Sequence, residues 1–198
     1  PHWLGESGPA GKIVRNRIHA TRAYDYDRFL IELLRGCFFH LNSALVRKEL
    51  YDVTGPFDRG LLRSQDYDMQ IRLARFGRGV FCSHPSFIFR QHEGSRGPKR
   101  ARHSNIERTD VFRTYNQVIG KRVRASLPLG EYLVPRAGDQ EVSQNLREAL
   151  LSRMLVMAAM GCIPEMLDDI SSALTTLPSD ANLNNAEARY IRDAFCTK

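Results

Sequence analysis

Gln65-Asp66-Tyr67-Asp68-Met69-Gln70-Ile71-Arg72-Leu73-Ala74-Arg75-Phe76-Gly77 is the stretch on which the fold reading turns. Tyr67 to Phe76 reads as a helix, opened by two carboxylates and closed by Gly77 and Gly79. Before it, Cys37 to Val46 is an apolar run broken by His40, Asn42 and Ser43, which reads as a buried strand. Arg47 to Val53 reads as a short helix ended by Thr54-Gly55-Pro56. After Gly79 come two short expected strands, Val80–Cys82 and Phe87–Arg90, separated by His84-Pro85. Strand, helix and strand with Gly and Pro punctuation predict an α/β region.

Upstream, residues 1–22 are rich in Gly, Pro, Arg and His without a sustained period. They read as loop with a short strand around Lys12–Val14, and Tyr24 to Leu34 follows at helical spacing. Downstream, residues 93–103 read as a polar loop. Ser104-x-x-Glu107 has the capping-box pattern, which predicts a helix to about Ile119. Leu127 to Asp139 carries two prolines and two glycines and reads as a linker. Beyond it, Val142, Leu146, Leu150, Met154 and Ala158 form one helical stripe. Ile163, Leu167, Ile170, Leu174 and Leu177 form a second, and Leu183, Ala186, Tyr190, Ile191 and Ala194 a third, which together predict a small bundle with apolar cores. The expected divisions are thus residues 1–103, 104–138 and 139–198.

The net charge of +7 invites a polyanionic partner, but its distribution says more than its sum. Residues 139–198 carry −4 and residues 1–138 carry +11. The four cysteines, Cys37, Cys82, Cys162 and Cys196, make no Cys-x-x-Cys pair. That spacing argues against a thiolate metal site and fits a reducing compartment better than a disulfide framework. The longest apolar run, Met154 to Ile163, is too short to span a bilayer. With no signal-peptide pattern, the expected location is cytoplasmic, at the membrane surface if the basic region binds there. A chain opening on Pro1-His2-Trp3 reads as a cut piece.

The order of elements from Gly36 to Gly94 carries a resemblance. An apolar strand ends in Val46-Arg47, Gly55-Pro56-Phe57-Asp58 follows, and Gln65-Asp66-Tyr67-Asp68 opens a helix bearing Ile71-Arg72-Leu73-Ala74. Phe89-Arg90-Gln91-His92-Glu93-Gly94 closes the series. This resembles the C-terminal half of family 2 nucleotide-sugar glycosyltransferases over roughly residues 10–95. It departs from their pattern at Gln65, where an acid is usual, and at Pro56, where a second glycine is usual. The resemblance implies a partial A-type α/β sheet followed by a helical C-terminal region. It implies transfer of a sugar, with inversion, from a nucleotide-diphosphate donor to a glycan or other acceptor hydroxyl. Asp66 would be the catalytic base, and Gln65, Arg90 and His92 would contact the donor. His92 would also touch a Mn or Mg ion held mainly by an Asp-x-Asp motif upstream of Pro1. The chain alone would then be inactive. The absence of Gln-x-x-Arg-Trp favours single transfer over polymerisation.

Elementary chemistry is compatible with those roles. A hydroxyl acceptor needs a base, and a diphosphate leaving group needs cations. Each residue also has a plainer reading. Asp66 suits an N-cap, Asp58 an Asx turn, Phe57 a core anchor, His92 a solvated loop and Arg90 a structural ion pair. Lys99-Arg100-Ala101-Arg102-His103 could hold an anionic polymer or membrane, but no aromatic residues interleave with it, and nucleic acid is not expected as a partner. The C-terminal stripes suit either a core or the docking of a partner chain, including a second copy. A non-enzymatic helical interaction module and a basic anionic-polymer binder therefore stand as the alternatives.

Overall fold

Helix carries most of the chain in the computed structural model, which describes residues 2–7, 13–19, 23–84, 86–91, 105–136, 138, 142, 145–176 and 184–196. The elements are β1 His2–Ser7, β2 Ile13–His19, α1 Tyr26–Arg35, α2 Lys48–Thr54, α3 Gln65–Phe76, β3 Ile88–Gln91 and α4 Asn105–Ser126. They continue with α5 Leu146–Ala159, α6 Ile163–Thr175 and α7 Asn185–Cys196, with 3-10 turns at Leu41–Ser43 and Leu129–Tyr132. The chain divides into two compact units, one of Pro1–Tyr26 and Cys37–Thr109, the other of Asp27–Gly36 and Asp110–Lys198.

The first unit is organised around α3. Leu61, Tyr67, Met69, Ile71, Leu73 and Ala74 are its buried apolar side chains. α3 packs against α2 and the 3-10 turn at Leu41–Ser43. Arg72 straps the two helices together. Its guanidinium donates to Asp68 at 2.7 and 2.9 Å and to the carbonyls of Thr54 and Gly55. Those carbonyls lie where α2 ends and Gly55 turns to φ 74°. A cation on the orphan carbonyls of a helix C-terminus satisfies groups that the helix itself cannot. The same unit contains a three-stranded sheet of order β2-β1-β3. β1 and β2 are antiparallel from His2↔His19 to Ser7↔Ile13, and β1 and β3 are parallel from Trp3↔Ile88 to Glu6↔Gln91.

The expected fold, an α/β domain built on part of an A-type glycosyltransferase sheet, is not what the chain adopts. Cys37–Val46 is irregular, with a 3-10 turn where a buried strand was expected. The physical reason is local. Ser43 Oγ donates back to the His40 carbonyl at 2.6 Å, a turn bond that competes with a strand ladder. Leu45 is 103% exposed, so the run has no buried face. Val80–Cys82 is likewise irregular, with Val80 94% exposed. A short apolar run becomes a strand only where a neighbour completes its hydrogen bonds. Phe87–Arg90 finds a counterpart in β3, and residues 1–22, expected as loop with a short strand around Lys12–Val14, contain β1 and the longer β2.

The second unit is helical. α5 packs against α6, α7 and the 3-10 turn at Leu129–Tyr132. It is accordingly buried on more than one side, through Ala149, Leu150, Leu151, Ser152, Met154, Val156 and Met157. The expected linker is packed rather than free, with Leu127, Tyr132 and Leu133 buried. α1 contributes Leu30, Ile31, Leu33 and Leu34. α4 runs two turns beyond the expected end near Ile119, because Ile119 and Val123 are both buried. Gly120 allows α4 to pass close to the α5–α6 connection, where an added Cβ would lie 2.7 Å from Cys162 Sγ.

α6 reverses an expectation. Ile163, Leu167 and Leu174, expected in the core, are 49%, 51% and 43% exposed, whereas Met166, Asp169 and Ala173 face inward. Asp169, fully buried, accepts from Arg153 at 2.6 and 3.0 Å and from Arg124 at 2.8 Å. A buried carboxylate is tolerated only when paired and hydrogen-bonded. With both cations on neighbouring helices, that requirement fixes which face of α6 turns inward.

Candidate functional site

Two of the expected site residues, Gln65 and Asp66, open α3. The entry is tight. Ser64, the residue before the helix, has φ 58° and ψ 18°, a left-handed conformation that a non-glycine residue adopts at a cost of roughly 1–2 kcal/mol. Its carbonyl accepts the Asp68 amide at 2.9 Å, so the helix starts abruptly. Such outliers recur at functional sites, where surrounding structure holds them. Gln65 commits an amide donor to the Leu61 carbonyl.

The two carboxylates of this turn have different environments. Asp68 is neutralised by Arg72 and is thereby part of the strap. Asp66 is exposed, and Oδ1 accepts the Tyr67 amide at 3.0 Å. Among the described residues no cation pairs with it. Ser64, not Asp66, holds the cap position, although the Asp66 carboxylate does satisfy one first-turn amide.

A second group lies beside Asp66. Gln70, four residues on, shares its face of α3. Gln70 is buried, and its Nε2 donates to the Phe39 carbonyl at 2.9 Å. The Cys37 sulfur lies 3.1 Å from Gln70 Oε1 and 3.3 Å from the Phe39 carbonyl oxygen. Cys37 as a residue is exposed, but its sulfur is the part turned against these groups, and burial pushes the thiol pKa up, with the Asp66 charge adding to the shift. Tyr67 is also pushed up, chiefly by burial. Sequence reading had not singled out Cys37 or Gln70. The polar interruption of an apolar helix face at Gln70 was the available signal.

The remaining expectations fare unevenly. Arg90 lies in β3, its side chain outside the described residues, and His92 lies outside them altogether, so its expected reach to Asp66 does too. The basic run Lys99–His103 and Ser104 of the capping box also lie outside. Asp58 takes its plainer role, since Oδ1 accepts the Gly60 amide at 2.7 Å in an Asx turn. Phe57 is exposed rather than a core anchor. Among the described residues no group of three or more His, Cys, Asp or Glu side chains could hold a metal ion. No helix among them is long and apolar enough to cross a membrane.

The sequence matches no family model, no curated protein and no solved structure. With the expected strands at Cys37–Val46 and Val80–Cys82 missing and most of the chain helical, the family 2 glycosyltransferase assignment is overturned.

Proposed function

We propose that this chain serves inverting sugar transfer from a nucleotide-diphosphate donor to an acceptor hydroxyl, with Asp66 as the base. The observation that carries the reading is the contrast within one helical turn: Asp68 is spent on Arg72, while Asp66 stands exposed and oriented by a backbone amide. An exposed carboxylate on a rigid helix start is placed to accept a proton from a hydroxyl. In the proposed step the acceptor oxygen forms its bond to the anomeric carbon as its proton passes to Asp66. The bond to the diphosphate breaks on the opposite face, and its electron pair leaves with the diphosphate. The described residues supply no metal-ligand cluster, so the role given to them is confined to the proton at the acceptor oxygen. Arg90, His92 and Gln65 remain the proposed donor contacts, and a cytoplasmic location, including the membrane surface, fits the basic first two thirds of the sequence.

The test is Asp66→Asn, introduced into the gene in its own host, with the purified product assayed for turnover, donor affinity and melting temperature. Asn keeps the shape and the acceptor for the Tyr67 amide but cannot take the proton. Turnover falls by about two to four orders of magnitude while donor affinity and melting temperature hold. Normal turnover removes Asp66 as the base. A second reading, a helical interaction module that can pair with another copy, is favoured by the exposed Ile163, Leu167 and Leu174 on α6. Concentration-dependent sedimentation that Leu167→Asp abolishes would select it.

A further inference from the structure

The loop of residues 55–63, between α2 and α3, holds two large apolar side chains out of the core. Both of its ends are fixed. Arg72 donates to the carbonyls of Thr54 and Gly55 where the loop begins. Leu61 is buried near its other end, and the Leu61 carbonyl accepts from Gln65. Between these anchors the backbone turns tightly. The Leu61 amide donates to the Asp58 carbonyl at 3.3 Å, and the Gly60 amide donates to Asp58 Oδ1 at 2.7 Å. Phe57 and Leu62 flank that turn, one on each side, and are 45% and 68% exposed. Arg59, within the turn, is exposed too. A single exposed leucine is ordinary, but two large apolar side chains on one turn, with a cation between them, make an interaction surface.

We infer that this turn is a membrane-docking tip, which inserts Phe57 and Leu62 into the interface of an anionic bilayer and sets Arg59 against the lipid phosphates. Interfacial binding grows with the apolar area buried and with attraction to anionic lipid. The loop supplies both. It carries two arginines, Arg59 and Arg63, and one acid, Asp58, whose carboxylate is occupied by the Gly60 amide. The basic excess of residues 1–138 adds attraction at longer range. A bilayer interface deforms around a small apolar tip, whereas a protein partner would need a cavity of matching shape. Because the turn is already held by its own hydrogen bonds, docking orders little further chain. None of this depends on Asp66 acting as a base.

The experiment is co-sedimentation of the 198-residue chain with phosphatidylcholine vesicles, with and without about 30% phosphatidylserine. The chain sediments with the anionic vesicles and much less with the neutral ones. Phe57→Ser combined with Leu62→Ser weakens the partition about ten-fold or more. Arg59→Gln weakens it about five-fold, the worth of one cation at an anionic surface. Phe195→Ser, which removes a similarly exposed apolar side chain from α7, leaves it unchanged. Phe57→Trp gives a readout that a folding defect cannot imitate. Its emission shifts to the blue with anionic vesicles, and brominated lipid quenches it beyond the level set by Trp3. The docking tip is overturned by an absence of sedimentation with anionic vesicles, or by Phe57→Trp emission that vesicles leave unchanged. Equal sedimentation of the Phe57→Ser/Leu62→Ser variant and the wild type also overturns it, and assigns the binding to the basic run Lys99–His103. Self-association without lipid that the same double variant abolishes overturns it as well, and assigns the surface to a second copy.

Discussion

At the residue scale, the chain uses polar groups sparingly inside and for identifiable ends. Gln70 joins α3 to the Cys37–Phe39 segment, and Asp169 joins α6 to Arg124 and Arg153. Four buried or partly buried acids of high pKa, Cys37, Cys162, Tyr67 and Tyr132, are each pushed further up, first by burial. Each holds its proton more tightly folded than unfolded. Its contribution to stability is therefore complete below the unfolded value, 9.0 for the thiols and 10.0 for the phenols, and is lost as pH rises above it. Thermal melts across the alkaline range should show the melting temperature falling from about pH 9 upward. Cys37→Ala with Cys162→Ala should flatten the first part of that fall. A melting temperature that holds steady through the range would contradict the burial of these groups.

At the element scale, α6 decides between two faces that sequence periodicity cannot rank. Its regular four-three stripe is Ile163, Leu167, Ile170 and Leu174, yet Met166 and Ala173 are the side chains that are buried. Burying a large apolar side chain contributes about 1.5–3 kcal/mol. Leaving Asp169 buried without Arg124 and Arg153 would cost about 3–5 kcal/mol. The pair Met166→Ala and Leu167→Asp tests the orientation. By urea unfolding, Met166→Ala should lose about 2–5 kcal/mol, whereas Leu167→Asp should stay within about 0.5 kcal/mol. The opposite ranking would restore the orientation expected from the stripe. The helices α1 to α3 were legible because their periodicity and their Gly or Pro stops are local, whereas the end of α4 was not, since the burial of Ile119 and Val123 carries it past Gly120. The strands were less so, because β1 and β3 pair across more than eighty residues.

At the scale of the whole molecule, the chain enters and leaves its two units more than once. Residues 27–36, which carry α1, belong with residues 110–198, although segments on both sides of α1 belong to the other unit. A fragment starting near Asn105 would therefore lack four buried apolar side chains, Leu30, Ile31, Leu33 and Leu34. Such a fragment should melt at least about 10 °C below the same unit within the full chain, given about 4–8 °C per kcal/mol for a domain of this size. A peptide of residues 23–36 added in excess should recover part of that loss by binding the folded form. An unchanged melting temperature without α1 would remove α1 from the second unit.

The sequence by itself determined where most helices lie and which carboxylate opens α3. Both are local properties, set by residue spacing and by the preference of acids for a helix start. It also placed the unequal charge between the two ends of the chain. It could not determine that Cys37–Val46 would turn instead of extending, because that depends on whether a neighbouring strand is there to complete its ladder. Nor could it bring Cys37 and Phe39 to Gln70, more than thirty residues away, or assign Asp68 to Arg72 and leave Asp66 exposed. Those outcomes, like the inward turn of Asp169, were decided by the tertiary structure. Buried polar groups must find partners, and which partners come within reach is a property of the packed chain.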